Sequence, residues 1–224
     1  MNGFLDVFTE YDVLGAFWMN IKLTAFAAVG SFVLGVVLAL FRISPVGSFR
    51  AIGTGYVNIV RNTPLTIIMV LGVLAVWGQL KVTFFSSFDL NFFTYAVIAL
   101  TLYHASFVCE AIRSGVNTVP LGQVEAARAI GLTFLPAARI VVLPQALRGA
   151  ITPLGNTLIA LTKNTTVAAA ASVAEASGLM RTMLEFNPDL MIYIFLTIAI
   201  GFCAIVIPMG LVTTWLSDKL AVAR

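Results

Sequence analysis

Residues Leu190–Ser217 read LMIYIFLTIAIGFCAIVIPMGLVTTWLS and contain no charged side chain. About 20 apolar residues in a helix are enough to cross the roughly 30 Å hydrocarbon layer of a bilayer. The stretch is too long and too continuously apolar for a strand of a membrane β-barrel, whereas a helix satisfies its own backbone hydrogen bonds in lipid. It therefore predicts a membrane-spanning helix over residues 190–216.

The composition of the whole chain agrees with a membrane location. Of the 224 residues, 60% are hydrophobic and 10% are charged, and the mean hydropathy is +1.00. This leaves too little polar surface to cover a soluble globule, so we expect an integral membrane protein. The net charge of +3 is small and gives no reason to expect nucleic-acid binding. Cys109 and Cys203 lie inside apolar stretches and predict neither a disulfide nor a metal site.

Other uncharged runs locate the remaining spans. Leu23–Phe41, Asn62–Leu80 and Leu90–Cys109 are each long enough to cross. The fourth span in chain order is harder to place, because Arg148 and Lys163 bracket a run that is too short; either Arg148 snorkels inward or Lys163 is carried at membrane depth. The prediction is an all-α bundle of about five transmembrane helices, over residues 17–41, 57–80, 90–113, 140–164 and 190–216.

The positions of the basic residues predict the orientation. Nine of the thirteen fall on one side if the N-terminus is outside; they are Arg42, Arg50, Arg61, Arg113, Arg128, Arg139, Arg148, Lys219 and Arg224. Cytoplasmic connections are enriched in Lys and Arg, so we expect an outer N-terminus and a cytoplasmic C-terminus. One membrane domain over residues 17–216 is followed by a cytoplasmic tail over residues 217–224. Residues 1–16 predict an N-terminal helix in the outer interface, with a frayed lead-in as the alternative.

A patterned cytoplasmic segment, residues 120–139, joins the third and fourth spans. Apolar positions recur on one face of a short helix at Leu121, Val124, Ala127 and Ile130. Gly131 can end that helix in the left-handed conformation. Thr133 can then cap the next helix, with Pro136 in its first turn.

The same segment carries a motif. Glu125, Ala126 and Ala127 are followed after three residues by Gly131, and further on by Val141, Val142, Leu143 and Pro144. This pattern resembles the cytoplasmic coupling signature of ABC importer permeases, with Val141 where the family usually has Ile. It implies the transmembrane-domain fold of type I ABC importers.

The resemblance covers residues 17–216. Further segments resemble permeases for polar amino acids; they are Arg61–Leu65, Glu110–Gly115, Pro144–Ala146 and Leu161–Thr166. The amino-acid sequences of these segments most resemble those of the glutamate permeases of actinobacteria. The resemblance implies a multi-pass protein of the bacterial cell membrane. Its function would be that of a permease subunit in an ATP-driven importer of polar amino acids, with glutamate as the cargo.

In such importers the coupling segment is said to sit in a cleft of a separate ATPase, and the resemblance implies the same here. The ATPase-coupling residues would be Glu125, Ala126, Ala127, Gly131, Leu143 and Pro144. The chain has no P-loop, so we expect no enzymatic activity and no cofactor of its own; ATP and Mg would be used by the ATPase. The implied partners are two ATPase copies, a second and similar permease chain, an extracytoplasmic solute-binding protein and membrane lipid.

Polar residues at membrane depth are candidates for the substrate path. Lys163 either gives an acidic substrate a counter-charge, with hydrogen bonds from Asn164, Thr165 and Thr166, or snorkels to the outer interface. His104 either lines the path or is a neutral ring that hydrogen-bonds to a neighbouring helix. Asn62 and Thr63 either line the path or cap a helix. Glu110 and Arg113 predict a structural ion pair.

An ion-coupled secondary amino-acid transporter or a channel is the alternative function. No tandem inverted repeat is visible in the chain, and intramembrane acids suited to proton or sodium coupling are nearly absent. An intramembrane enzyme is also disfavoured, because His104 is the only histidine and has no paired carboxylates at catalytic spacing.

Overall fold

The computed structural model describes residues 10–220, and over that range the chain is helical with no β-strand. In chain order the helices are α1 (Val13–Ile43), α2 (Gly47–Arg61), α3 (Leu65–Gln79), α4 (Phe88–Val116), α5 (Leu121–Ala129), α6 (Phe134–Gly149), α7 (Ile151–Asn164), α8 (Ala176–Phe186) and α9 (Met191–Leu220). Helix α3 continues from Gly72 as a π-helix, α6 contains the π-helical stretch Ala138–Val142, and the 3-10 helix Thr165–Ala171 follows α7.

Three helical stretches of the described chain are long and apolar enough to cross a membrane alone: α1, α4 and Pro188–Leu220. Two further pairs pass the same test together but are broken in the middle: α2 with α3, and α6 with Ile151–Ala171. The count is therefore three, or up to five if each broken pair is one span, and the prediction of an all-α membrane protein is confirmed.

The span predicted over residues 57–80 falls on two helices in the structure, not one. Helix α2 ends at Arg61 and α3 begins at Leu65, with Pro64 between them in an extended conformation. Proline has no backbone N–H to continue the hydrogen bonds of a helix, and it disfavours the helical conformation in the residue before it. Asn62 Nδ2 and Thr63 Oγ1 instead donate to carbonyls of the last turn of α2, at 2.8 and 2.9 Å.

The span predicted over residues 140–164 is also two helices, since α6 ends at Gly149 and α7 begins at Ile151. Pro153 lies in the first turn of α7, where a missing N–H costs nothing. The predicted interfacial helix over residues 1–16 falls mostly outside the described residues. Helix α1 begins at Val13, so residues 13–16 belong to the first long helix.

The chain divides into two compact units. Within the described residues, the first consists of residues 10–28, 64–100 and 159–208. Its buried core contains Val13, Ala16, Phe17, Ala176, Met183, Ile194 and Ile198. Lipid gives no hydrophobic force between helices, so close contact of small residues holds them together. Gly201 illustrates this, because a Cβ atom there would lie 2.1 Å from the Phe17 ring.

The second unit consists, over the described part of the chain, of residues 29–63, 101–158 and 209–220. Its main core contains Leu38, Ala39, Val57, Ala105, Val108, Cys109 and Ile112. Gly35 faces Val108 closely enough that a Cβ atom would lie 2.5 Å from Val108 Cγ1. A smaller cluster of Val119, Val142 and Ala146 lies under the coupling segment and fixes its position on this unit.

Candidate functional site

Helix α5 of the coupling segment ends in a Schellman motif. The N–H of Gly131 donates to Arg128 O at 3.0 Å, and the N–H of Leu132 donates to Ala127 O at 3.1 Å. Gly131 has a φ of 88°, which a residue with a Cβ atom rarely adopts. The glycine therefore lets the chain leave α5 sharply. Thr133 is the N-cap residue of α6, as predicted, with an extended backbone conformation, but its side chain makes no cap hydrogen bond.

The apolar face predicted for α5 is only partly buried. Ala127 is 4% exposed and Val124 is half-buried, whereas Leu121 and Ile130 are 78% and 79% exposed. Glu125 and Ala126 are exposed as well. One face of the helix thus rests on the second unit, and its two ends present large apolar side chains outward.

Helix α5 is held against α6 by both packing and hydrogen bonding. Val119, just before α5, packs with Val142 and Ala146 of α6, and Val124 of α5 joins them. Gln145 of α6 donates through Nε2 to Gln123 Oε1 of α5. Of the other motif residues in α6, Leu143 is half-buried and Pro144 is exposed. The coupling segment is therefore attached to its unit at several points.

A charged cluster surrounds Glu110 of α4. Arg113 Nε donates to Glu110 Oε2 at 3.0 Å, so the pair three residues apart on α4 is an ion pair in the structure. Arg42 of α1 donates to Glu110 Oε1. Arg61 of α2 lies with its Nη1 3.6 Å from the same oxygen. Three guanidinium groups thus share one carboxylate.

Other predicted path residues of the second unit are spread along α2 and α4. His104 of α4 is buried, at 1% exposure, and its ring lies edge-on to Tyr103 with centroids 5.3 Å apart. Asn62 is exposed and Thr63 is half-buried, and both side chains bond to α2 carbonyls as described above.

The predicted residues around Lys163 belong to the first unit. Lys163 is exposed at the end of α7. The hydroxyl of Thr166 donates to Lys163 O at 2.8 Å, and that of Thr165 donates to Thr162 O at 2.7 Å. Thr165 is fully buried, whereas Asn164 and Thr166 are half-buried. The hydroxyl protons of Thr165 and Thr166 are thus already used within the helix.

Thr165 belongs to a buried polar network centred on Asn20 of α1. Asn20 Nδ2 donates to Thr165 Oγ1 at 2.8 Å and to Glu175 Oε2 at 3.0 Å, while Asn20 Oδ1 accepts from Ala176 N at 3.0 Å. Glu175 also caps α8, accepting from Ser177 N at 2.9 Å and Gly178 N at 2.8 Å. Asn20 and Glu175 are both 0% exposed.

Burial raises the pKa of the Glu175 carboxyl above its ordinary value of 4.5, against the opposing effect of the backbone and Asn20 hydrogen bonds. Sequence reasoning missed this network and the roles of Arg42 and Arg61. An asparagine in a long apolar run was the available signal for Asn20. No comparable signal pairs Arg42 with Glu110, which is 68 residues further along the chain.

Within residues 10–220, no group of three or more His, Cys, Asp or Glu side chains is placed to hold a metal ion.

Comparison with known proteins gives a consistent result. Residues 31–222 match the family described as binding-protein-dependent transport system inner membrane component. The chain is 44% identical over 218 residues to the glutamate transport system permease protein GluC of Corynebacterium efficiens, covering 95% of this chain and 96% of that protein. GluC of Corynebacterium glutamicum gives the same identity and coverage.

A solved structure shows the same fold. The crystal structure of an amino acid ABC transporter with histidines matches with a TM-score of 0.81 and 24% sequence identity. The match covers 96% of this chain and 98% of that one. The two chains therefore share one transmembrane architecture.

Proposed function

The chain belongs to the family of binding-protein-dependent transport system inner membrane components, and from that premise we propose that it is the permease subunit of an ABC importer for glutamate. Family membership makes it a multi-pass protein of the bacterial inner membrane that works with a binding protein and a separate ATPase. The substrate is proposed because both GluC proteins are glutamate permeases that match along nearly their whole length. ATP and Mg are used by the ATPase subunit.

The coupling segment is proposed as the docking element for that ATPase. One observation carries this proposal: Leu121 and Ile130 are 78% and 79% exposed on a helix outside the candidate spans, where lipid is not expected to cover them. Large exposed apolar side chains of this kind mark an interaction surface. Glu125 and Ala126 lie between them on the same helix.

The attachment of α5 would let it transmit motion. The Schellman motif at Gly131 and the packing of Val119, Val142 and Ala146 fix α5 to the second unit. Approach of the ATPase subunits would therefore move this unit as a body instead of bending a loop. Leu143 and Pro144 contribute by continuing α6 from the coupling segment.

The complete importer is proposed to contain two ATPase copies, a second and similar permease chain, and an extracytoplasmic solute-binding protein. In this arrangement the N-terminus lies outside and the C-terminus lies in the cytoplasm. Lys163 is proposed to face the path as a counter-charge for an acidic substrate, and its exposure at the end of α7 is compatible with that role. Asn164, Thr165, Thr166, His104, Asn62 and Thr63 remain candidates for the path.

The docking proposal is tested by co-purification of the ATPase with variants of this chain. Ile130→Asp places a charge in the proposed apolar contact and should remove the ATPase from the purified complex. Phe186→Asp is the matched control, because Phe186 is 69% exposed at the end of α8, away from the coupling segment in sequence. Equal recovery of the ATPase with both variants would reject docking through α5.

The transport proposal is tested in proteoliposomes that contain the whole complex. Glutamate-loaded binding protein should stimulate ATP hydrolysis and glutamate uptake. Lys163→Met should abolish uptake while the complex still assembles, and unchanged uptake would remove Lys163 from the path. Glutamate uptake by this chain alone, driven by an ion gradient, would reject the importer in favour of a secondary transporter.

A further inference from the structure

A small cavity opens beside the arginine cluster of the second unit. Its lining consists of Val57, Asn58, Arg61, Asn62 and Phe107, and its volume is about 310 Å³. Ligand pockets in proteins start at about 300 Å³, so the space suits a small molecule. Arg61 is the charged residue of the lining and is 45% exposed, so its guanidinium reaches both solvent and the cavity.

Charge counting around Glu110 shows that Arg61 is not needed to neutralise that carboxylate. Arg42 bonds to one carboxylate oxygen and Arg113 to the other. Arg61 approaches only to 3.6 Å, beyond the 2.7–2.9 Å of a strong charge-assisted hydrogen bond. Glu110 therefore keeps two counter-charges if Arg61 turns to another anion.

The Arg61 guanidinium lies over the ring of Phe107. The Cζ atom of Arg61 lies 5.2 Å from the centroid of the Phe107 ring. A guanidinium attracted to a ring face keeps the N–H groups at its edge available for a planar acceptor. A carboxylate is such an acceptor and binds an arginine fork in a bidentate manner.

We propose that Arg61 binds a carboxylate of the transported amino acid in this cavity. In the structure Arg61 makes a loose ion pair with Glu110. When substrate enters, its carboxylate takes the in-plane N–H groups of Arg61. Asn58 and Asn62 supply polar groups to the same lining. The assignment rests on the proposed function, since it takes the cargo to be an amino acid.

An amino acid such as glutamate offers two carboxylates, and the experiment separates them. Binding of labelled glutamate and labelled glutamine is measured on the purified permease–ATPase complex without binding protein. Arg61→Gln should weaken glutamate binding by about tenfold to a hundredfold, the effect of losing a hydrogen bond to a charged group. Equal weakening for glutamine assigns the α-carboxylate, and weakening for glutamate alone assigns the side-chain carboxylate.

Two further variants make the result specific. Arg61→Lys keeps the positive charge but loses the paired N–H donors of the guanidinium. Its affinity for glutamate should lie between those of wild type and Arg61→Gln. Arg148→Gln is the matched control, because Arg148 is an exposed arginine of the same unit that lines no part of this cavity. It should bind both amino acids within about twofold of wild type, a difference well under 1 kcal/mol. Co-purification of the ATPase shows that each variant is assembled.

The outcomes separate this inference from the proposed function. If the wild-type complex binds glutamate and Arg61→Gln binds it as well as Arg148→Gln does, the Arg61 site is rejected and the importer survives. If the complex binds glutamine alone, with a dependence on Arg61, the glutamate assignment fails and the site survives. If it binds neither amino acid, the Arg61 site is rejected, and the importer is decided by the uptake assay with binding protein.

Discussion

Replacing Asn20 with alanine removes three buried hydrogen bonds at once and should lower the free energy of unfolding by about 3–5 kcal/mol. The largest losses fall on two groups. The N–H of Ala176 loses its acceptor, which costs about 1–3 kcal/mol for a buried group. The Glu175 carboxyl loses one of its donors, worth about 1.5–3 kcal/mol when the acceptor is charged. Thr165 still donates to Thr162 O and adds little.

The assay is thermal unfolding of the purified protein in detergent. For a chain of this size, 1 kcal/mol corresponds to a shift in Tm of about 2–4 °C, so Asn20→Ala should lower Tm by about 10 °C. Thr24→Val is the matched control. Thr24 Oγ1 donates at 2.8 Å to the Asn20 carbonyl of its own helix, and valine keeps the branched shape.

The control should stay within about 1 kcal/mol of wild type, since it removes one local bond and leaves the network intact. If Asn20→Ala melts within the range of Thr24→Val, the network does not stabilise the fold and the reasoning is refuted. If both variants melt about 10 °C early, the loss comes from disturbing α1 in general and the specific role of Asn20 is refuted.

Two more predictions concern stability. Burial raises the pKa of Glu175, so the folded protein binds that proton more readily than the unfolded chain, and stability should increase as pH falls through the folded pKa towards 4.5. Melting temperatures measured across that range should change less with pH for Glu175→Gln than for wild type. Gly115→Ala should cost about 1–3 kcal/mol, because a Cβ atom there would lie 2.0 Å from a carbonyl oxygen of α6. Gly55→Ala, with no neighbouring atom within 4 Å, should be neutral or slightly stabilising, and equal melting of the two glycine variants would contradict the close contact.

The long spans and the cytoplasmic helix could be predicted because their signals are local. An uncharged run such as residues 190–217 is sufficient to identify α9, and the glycine at 131 is sufficient to end α5. The breaks at residue 64 and residue 150 also have a local cause in Pro64 and Pro153. A hydropathy argument missed them because it counts apolar residues and ignores which backbone N–H groups are absent.

The outward side chains of α5 show a different limit. The spacing of the apolar residues predicts one apolar face on α5, but it does not say whether the chain's own unit or a partner covers that face. A helix that docks on another subunit instead keeps apolar residues for the partner, so the same periodicity has two structural meanings. Only the burial of Ala127 beside the exposure of Leu121 and Ile130 separates them.

The remaining contacts could not be predicted because they join distant parts of the chain. Asn20 and Glu175 are 155 residues apart, and neither residue lies in a motif that implies the other. The spacing of Glu110 and Arg113 predicts one ion pair on one helix. It cannot show that Arg42 and Arg61 arrive at the same carboxylate from two other helices.

The two carboxylates of these networks are stabilised by different means, and the difference indicates which one can take part in transport. Glu175 is fully buried and held by an amide and two backbone N–H groups, all of which are also needed to shape the start of α8. None of these donors can leave without an unsatisfied group remaining. Glu110 is held by guanidinium side chains, with one more cation than its two oxygens bind closely. A third cation can change partners at little cost, so the proposed exchange with a charged substrate fits the Glu110 cluster better than the fully bonded Glu175 network.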